Sequence, residues 1–277
     1  MPYSPKYTIT DKIIRSLAAI DDARECLERA TLDETWLRHT SEQALLLEAY
    51  HSTHIEGSQL TLAQSTALWS GQKIDANKDD VQEFLNYKNA FRLMIDFLES
   101  KYPLTECLLR EIHKHLVSGV REDKACPGEW RIIQNCVANS VTGEIVYLPP
   151  LPSDVPNLMR ELVQWINQAS DLHPAILSGI AQHQFVWIHP FIDGNGRTSR
   201  ILSMLLLYKN GYDFKKLFTL SEFYDKNSKN FYLALRSVEN NNLDLTCWLE
   251  YFTEGLATQL SNIMKFKENA IHFSGNT

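Results

Sequence analysis

The chain has 277 residues, 44% hydrophobic and 22% charged, with a net charge of -7 and acidic and basic residues interspersed. This describes a globular protein of one large or two small domains and leaves no basic stripe for nucleic acid. No apolar run approaches the roughly eighteen residues of a membrane span, and Met1-Pro2-Tyr3-Ser4 lacks a signal peptide's charged and apolar regions, so a cytoplasmic protein without membrane attachment is expected. Cys26, Cys107, Cys126, Cys136 and Cys247 are odd in number and scattered, which predicts reduced, mostly buried thiols.

Thr10 caps a predicted helix over residues 11 to 30, with Ile13, Ile14, Leu17, Ile20 and Leu27 on one stripe. A second helix covers Glu34 to Ile55, where Leu45, Leu46, Ala49 and Tyr50 repeat at helical spacing, and Gly57 stops it. Thr61 opens a third. Val81 to Leu98 and the Thr105-capped Leu108 to Val117 read as core helices. His113 and His115 stand two apart on a helix and face different ways, which argues against a metal pair.

From Glu122 to Pro152 prolines and glycines punctuate the chain. Trp130 to Ile133 and Ile145 to Leu148 have strand-forming content and predict a hairpin turning near Ser140 to Gly143. Leu158 to Asn167 is the next helix. Pro174 can open another at its first position, and Pro190 ends it at His189. Ile201, Leu202, Leu205, Leu206 and Tyr208 then recur at helical spacing up to Asn210-Gly211, and Ser221 to Val238 and Thr246 to Lys267 read as two more helices.

The loop between two of these helices, His189-Pro190-Phe191-Ile192-Asp193-Gly194-Asn195-Gly196-Arg197-Thr198-Ser199-Arg200, carries the chemistry. Gly194 and Gly196 allow positive φ, so successive N–H groups can converge into an anion nest at a helix start, where the dipole also favours phosphate. Arg197 and Arg200, three apart on the first turn, lie on one side and offer forked guanidinium groups. Asp193 is a hard oxygen ligand suited to a Mg²⁺ ion that bridges phosphates. His189 remains as the proton acceptor.

The stretch resembles the signature of the Fic family, His-Pro-Phe-x-Asp/Glu-Gly-Asn-Gly-Arg-x-x-Arg, at every fixed position. With each position at about 5% usage, a chance match is of order ~10⁻¹¹ to 10⁻¹² per site, which excludes coincidence. The resemblance implies a mainly α Fic-fold bundle with a small β-hairpin flap, and an enzyme transferring AMP from ATP to a Tyr, Thr or Ser hydroxyl of a target protein. It implies His189 as base, Asp193 on Mg²⁺, Gly194, Asn195, Gly196 and Arg197 on the α and β phosphates, and Arg200 on the γ phosphate. Relatives that transfer phosphate carry Ala-Asn-Lys in place of Gly-Asn-Gly, so Gly196 favours nucleotidyl transfer.

Ser52-Thr53-His54-Ile55-Glu56-Gly57 is similar to the family's inhibitory motif, which places Ser52, Glu56 and Gly57 in an N-terminal inhibitory helix and pairs Glu56 with Arg200. Residues 1–79 are then the segment bearing the inhibitor and 80–265 the catalytic core. Residues 266–277 form a tail, where a truncation would precede the winged-helix domain that many relatives append. Gly128 to Arg131 and Tyr147 to Pro150 resemble the flap that holds the target segment, over about 130–150. Tyr232 is the nearest match to an aromatic lining the adenine pocket. Dimers are common among the relatives. AMP removal through Glu56 and a nucleotide-binding regulatory module are the alternatives. A metal-dependent hydrolase using His189 and Asp193 lacks further ligands, since His183 is poorly spaced.

Overall fold

In a computed structural model the chain is described over residues 3–100, 102–138 and 143–274, with side chains as far as Lys265. Eleven α-helices and one two-stranded sheet are present among these residues. Helix α1 (Asp11–Arg29) starts where the Thr10 hydroxyl accepts from the Ile13 N–H, and α2 (Glu34–Ile55) where Asp33 accepts from Trp36 at 2.8 Å. Thr61 and Gln64 form a capping box for α3 (Leu62–Trp69), which α4 (Lys78–Ser100) and the Thr105-capped α5 (Glu106–Val117) follow.

The hairpin pairs β1 (Val137–Ala138) with β2 (Ile145–Tyr147) antiparallel, Val137 opposite Tyr147 and Ala138 opposite Ile145, with an irregularity between. The predicted first strand at Trp130 to Ile133 is therefore corrected. Arg131 is nearly fully buried and its main chain bonds to Pro190 at 2.9 Å, so this segment is committed to the motif loop rather than to a strand partner. Most of the predicted turn, Ser140 to Thr142, lies outside the described residues.

Helices α6 (Val155–Gln168), α7 (Pro174–Ile188) and α8 (Asn195–Lys209) follow. The single helix predicted over Ser221 to Val238 is two, α9 (Leu220–Lys226) and α10 (Ser228–Asn240). The Asn227 side chain donates to the Phe223 carbonyl at 3.0 Å and ends α9, and the break lets Tyr224 stack on Phe231. Helix α11 (Thr246–Ser274) completes the order. None of these helices, among the described residues, is long and apolar enough to cross a membrane.

The α7–α8 pair forms the centre, with Ile180, Phe185, Leu202 and Leu205 excluded from water. Helices α2, α4, α5, α6 and α11 pack around it, while α1 lies on α11 and α2 on α9. One apolar core runs through all of these helices, so α2 is built into it rather than laid over it. The expectation of mostly buried thiols is overturned: Cys107, Cys126, Cys136 and Cys247 are exposed and Cys26 is half-buried.

Candidate active site

Helix α7 ends where His189 takes the left-handed conformation, φ 50° and ψ 57°, while its N–H still bonds to the Phe185 carbonyl. A non-glycine residue held there carries strain that its surroundings must fix. Arg131 does so: its Nε donates to the His189 carbonyl at 2.8 Å and its Nη2 to the Pro150 carbonyl. Phe191 is fully buried and stacks on His113, with ring centroids 3.5 Å apart. The His113 Nδ1 accepts from the Gly128 N–H at 3.0 Å, so its Nε2 donates to the Asp193 carbonyl at 2.9 Å. Burial pushes this imidazole down to about 4, which keeps it neutral. His113 and Arg131 thus aim the loop. In the sequence His113 reads as core and Arg131 as flap, because their partners lie far along the chain.

The Asn195 side chain is committed to the loop. Its Oδ1 accepts from the Phe191 N–H and its Nδ2 donates to the Phe191 carbonyl, both at 2.9 Å. Only its main chain is left for a phosphate. Gly194 has the positive φ expected, 78°, and a Cβ there would stand 2.8 Å from Val117. Gly196 does not: it lies in the first turn of α8. Its need is for space, since a Cβ would overlap the Glu56 carboxylate.

The end of α2 brings Ser52 and Glu56 onto Arg200. Arg200 Nε donates to Ser52 Oγ at 2.8 Å, and Nη2 donates to the Ser52 carbonyl at 2.8 Å and to Glu56 Oε1 at 2.7 Å. Burial alone would lower the Arg200 guanidinium, but the charge and hydrogen bond of Glu56, with Tyr87 and Glu48 behind it, together outweigh burial and hold it above its ordinary value. Gly57, at φ 102°, closes the helix behind them.

A cleft of about 200 Å³ lies over this pair. Glu56, His189, Gly196 and Arg200 line its base, Tyr232 and Phe231 one wall, and Val137 and Tyr147 of the hairpin the other. Tyr232, the predicted adenine-wall aromatic, stands on α10 with 46% of its surface exposed. Burial lowers the His189 imidazole, assisted by the Arg131 charge and opposed by the Val186 carbonyl and the Glu56 and Asp193 carboxylates. It is therefore a neutral base near pH 7.

Arg197 and Arg200 do not face one way as expected. Arg197, Asp193 and Arg121 line a separate cavity of about 210 Å³. There Arg197 pairs with Glu83 of α4 at 3.2 Å, and Asp193 Oδ1 accepts from the Gly194 N–H at 2.6 Å, so one N–H of the expected nest is already bonded to the loop's own carboxylate. Glu83 is 1% exposed, and burial raises its carboxyl against the pull of Arg197 and Arg121. Neither Glu83 nor Arg121 is marked by sequence pattern. No group of three or more His, Cys, Asp or Glu side chains able to hold a metal occurs among the described residues. Asp193, partly exposed and a lone carboxylate, fits an ion whose remaining ligands are phosphates and water.

Residues 103–207 match the Fic/DOC family. Over 202 residues the chain is 34% identical to the protein adenylyltransferase Fic of Drosophila grimshawi, covering 72% of this chain and 40% of that protein. The chain thus spans about 40% of the length of the curated relatives it matches. In fold it resembles the crystal structure of a Fic family protein from Desulfovibrio desulfuricans, with TM-score 0.80 and 24% identity over 96% of this chain and 78% of that one. Fic-1 of C. elegans superposes with TM-score 0.77 at 24% identity, over 93% of this chain and 73% of that one. With the His189 to Arg200 loop intact between its two core helices, the chain belongs to the Fic family.

Proposed function

We propose that this chain transfers AMP from ATP to a Tyr, Thr or Ser hydroxyl of a target protein and rests in a form inhibited by Glu56. The observation that carries the reading is the Glu56–Arg200 pair inside the cleft that also holds His189. The curated relatives' name, protein adenylyltransferase, agrees with it.

His189 accepts the target hydroxyl's proton as its oxygen bonds to the α phosphorus and pyrophosphate leaves. The main chain of Gly194, Asn195 and Gly196 and the Arg197 guanidinium are assigned the α and β phosphates, for which Arg197 would turn from its Glu83 and Asp193 partners, and Arg200 is assigned the γ phosphate. Asp193 would hold Mg²⁺, which when bound supplies charge neutralisation on the phosphates. Tyr232 walls the adenine, and the hairpin lining the cleft offers its edge to the target segment. With Glu56 on Arg200 the γ-phosphate position is taken, so nucleotide would bind out of line for attack.

On this reading residues 1–79 supply the inhibitor and 80–265 the catalytic core. A cytoplasmic compartment is the expectation from the sequence, and a homodimer the one from the family resemblance. A second reading, removal of AMP, draws on Glu56 lining the same cleft as His189, where it would position a water.

Incorporation from ATP labelled separately at the α and γ phosphates tests the proposal, using wild type, Glu56→Gly and His189→Ala with a lysate as target source. Label from the α position only, stronger in Glu56→Gly and absent in His189→Ala, is expected. Label from the γ position would reassign the chain to phosphate transfer. No transfer by any variant would move it to AMP removal or to a binding module.

A further inference from the structure

Four charged side chains behind the motif loop close into a ring. Arg121 donates through Nη1 to Asp193 Oδ2 at 2.8 Å and lies through Nη2 at 3.0 Å from Glu83 Oε1. Arg197 lies 3.2 Å from the same Glu83 oxygen and 3.5 Å from Asp193 Oδ1. Signs alternate around the ring, so each acid is shared between two arginines.

Arg121 is held in this place at a cost. It begins a run of three non-glycine residues in the left-handed region, Arg121, Glu122 and Asp123, at φ 48°, 57° and 56°. Such residues persist only where the surroundings fix them. Here the Arg121 N–H donates to Asp79 Oδ1 at 3.0 Å, and Asp123 Oδ1 accepts from the Gly119 N–H at 2.7 Å. The strained turn aims the guanidinium at Asp193.

Both oxygens of Asp193 are thereby occupied, Oδ1 by the Gly194 N–H and Arg197, Oδ2 by Arg121. A divalent cation at Oδ2 meets the Arg121 charge already bonded there at 2.8 Å and competes with it for the carboxylate. Glu83, almost completely buried, keeps a second carboxylate ready for that guanidinium, so the displaced charge is not left alone.

We propose that Arg121 is a positioning residue that occupies Asp193 in the nucleotide-free protein and withdraws toward Glu83 when a metal–nucleotide complex binds. The cation then binds well only together with the phosphates that help displace the guanidinium. This rests on the reading of Asp193 as the metal-holding residue.

The test uses Mn²⁺ as probe, with free ion read by electron paramagnetic resonance, in the presence and absence of a non-hydrolysable ATP analogue. Without nucleotide, Arg121→Gln is expected to bind Mn²⁺ about tenfold more tightly than wild type, because a cation beside the carboxylate is gone. The gain in Mn²⁺ affinity on adding the analogue should shrink by a similar factor. Glu83→Gln should act the other way and weaken nucleotide-free binding, since Arg121 then has only Asp193. A purely structural role would weaken binding in both variants. Unchanged or weaker Mn²⁺ binding by Arg121→Gln overturns the proposal; where that variant does not fold, unchanged or stronger binding by Glu83→Gln does so. Mn²⁺ binding that survives Asp193→Asn would remove the metal role of Asp193, and this proposal with it, while leaving α-phosphate transfer a separate measurement.

Discussion

Glu56 and Gly196 touch across the cleft so closely that a Cβ at position 196 would overlap the Glu56 carboxylate. The inhibitory side chain therefore fills the approach to the main chain of the motif loop as well as pairing with Arg200. Two parts of the proposed phosphate site are covered by one carboxylate.

Glu56→Gly should raise α-label incorporation by roughly five- to a hundredfold. At about 3 Å and an effective dielectric near 20 the pair is worth up to roughly 5 kcal/mol before desolvation. Glu56 is still 28% exposed, so a net of about 1–3 kcal/mol is the expectation. The same substitution should lower the melting temperature, because Arg200 stays buried with Ser52 as its remaining partner from α2. Equal incorporation by variant and wild type would remove the inhibitory role.

The His189 imidazole is lowered chiefly by burial, so it stays neutral to more acidic pH than a free histidine. Transfer by the Glu56→Gly variant should therefore hold steady near neutrality and fall with acid, with a midpoint below 6.5. His189→Ala should cost ~10² to 10⁴ in rate and leave nucleotide affinity within a few fold. A midpoint at or above 6.5 would argue against a buried histidine as the base.

His113 and His183 are both pushed by burial down to about 4. A base whose folded value is depressed takes up its proton more readily when unfolded, so its stability contribution is complete above 6.5 and lost as pH falls toward 4. Each contributes at most roughly 3 kcal/mol. The urea midpoint should drop clearly between about pH 7 and about pH 5, and His183→Gln should flatten the drop. An unchanged midpoint in wild type would show that the imidazoles are not held neutral by burial.

Glu48 on α2 is 1% exposed and accepts from Tyr87 Oη at 3.1 Å, Thr219 Oγ1 at 2.9 Å, the Ser221 N–H at 3.0 Å and the Ser221 hydroxyl. It ties the inhibitor-bearing helix to α4 and α9. Glu48→Ala would strand several buried donors, each costing about 1–3 kcal/mol, so a loss near 3 kcal/mol in chemical denaturation is expected. A loss below about 1 kcal/mol would mean that the donors find other partners.

Local chemistry in the sequence already determined much of this protein. Thr10, Thr61 and Thr105 start helices because a hydroxyl reaches an N–H only three residues on, and Gly57 and Gly211 end them because the required φ belongs to one residue. The twelve-residue loop from His189 to Arg200 was legible for the same reason: its parts are neighbours in the chain.

Tertiary structure decided the rest. Glu56 and Arg200 are 144 residues apart, and no periodicity reports their pairing, which only the resemblance to a family motif implies; the Ser52 bond to the same guanidinium appears only in the fold. Arg131 reads as part of a strand until its guanidinium is seen on the His189 carbonyl, and Gly196 reads as a turn glycine until Glu56 is seen against it. His113, Glu48, Glu83 and Arg121 carry no local signal at all. A buried charge or imidazole is stable only through partners that folding brings to it, and those partners are written elsewhere in the chain.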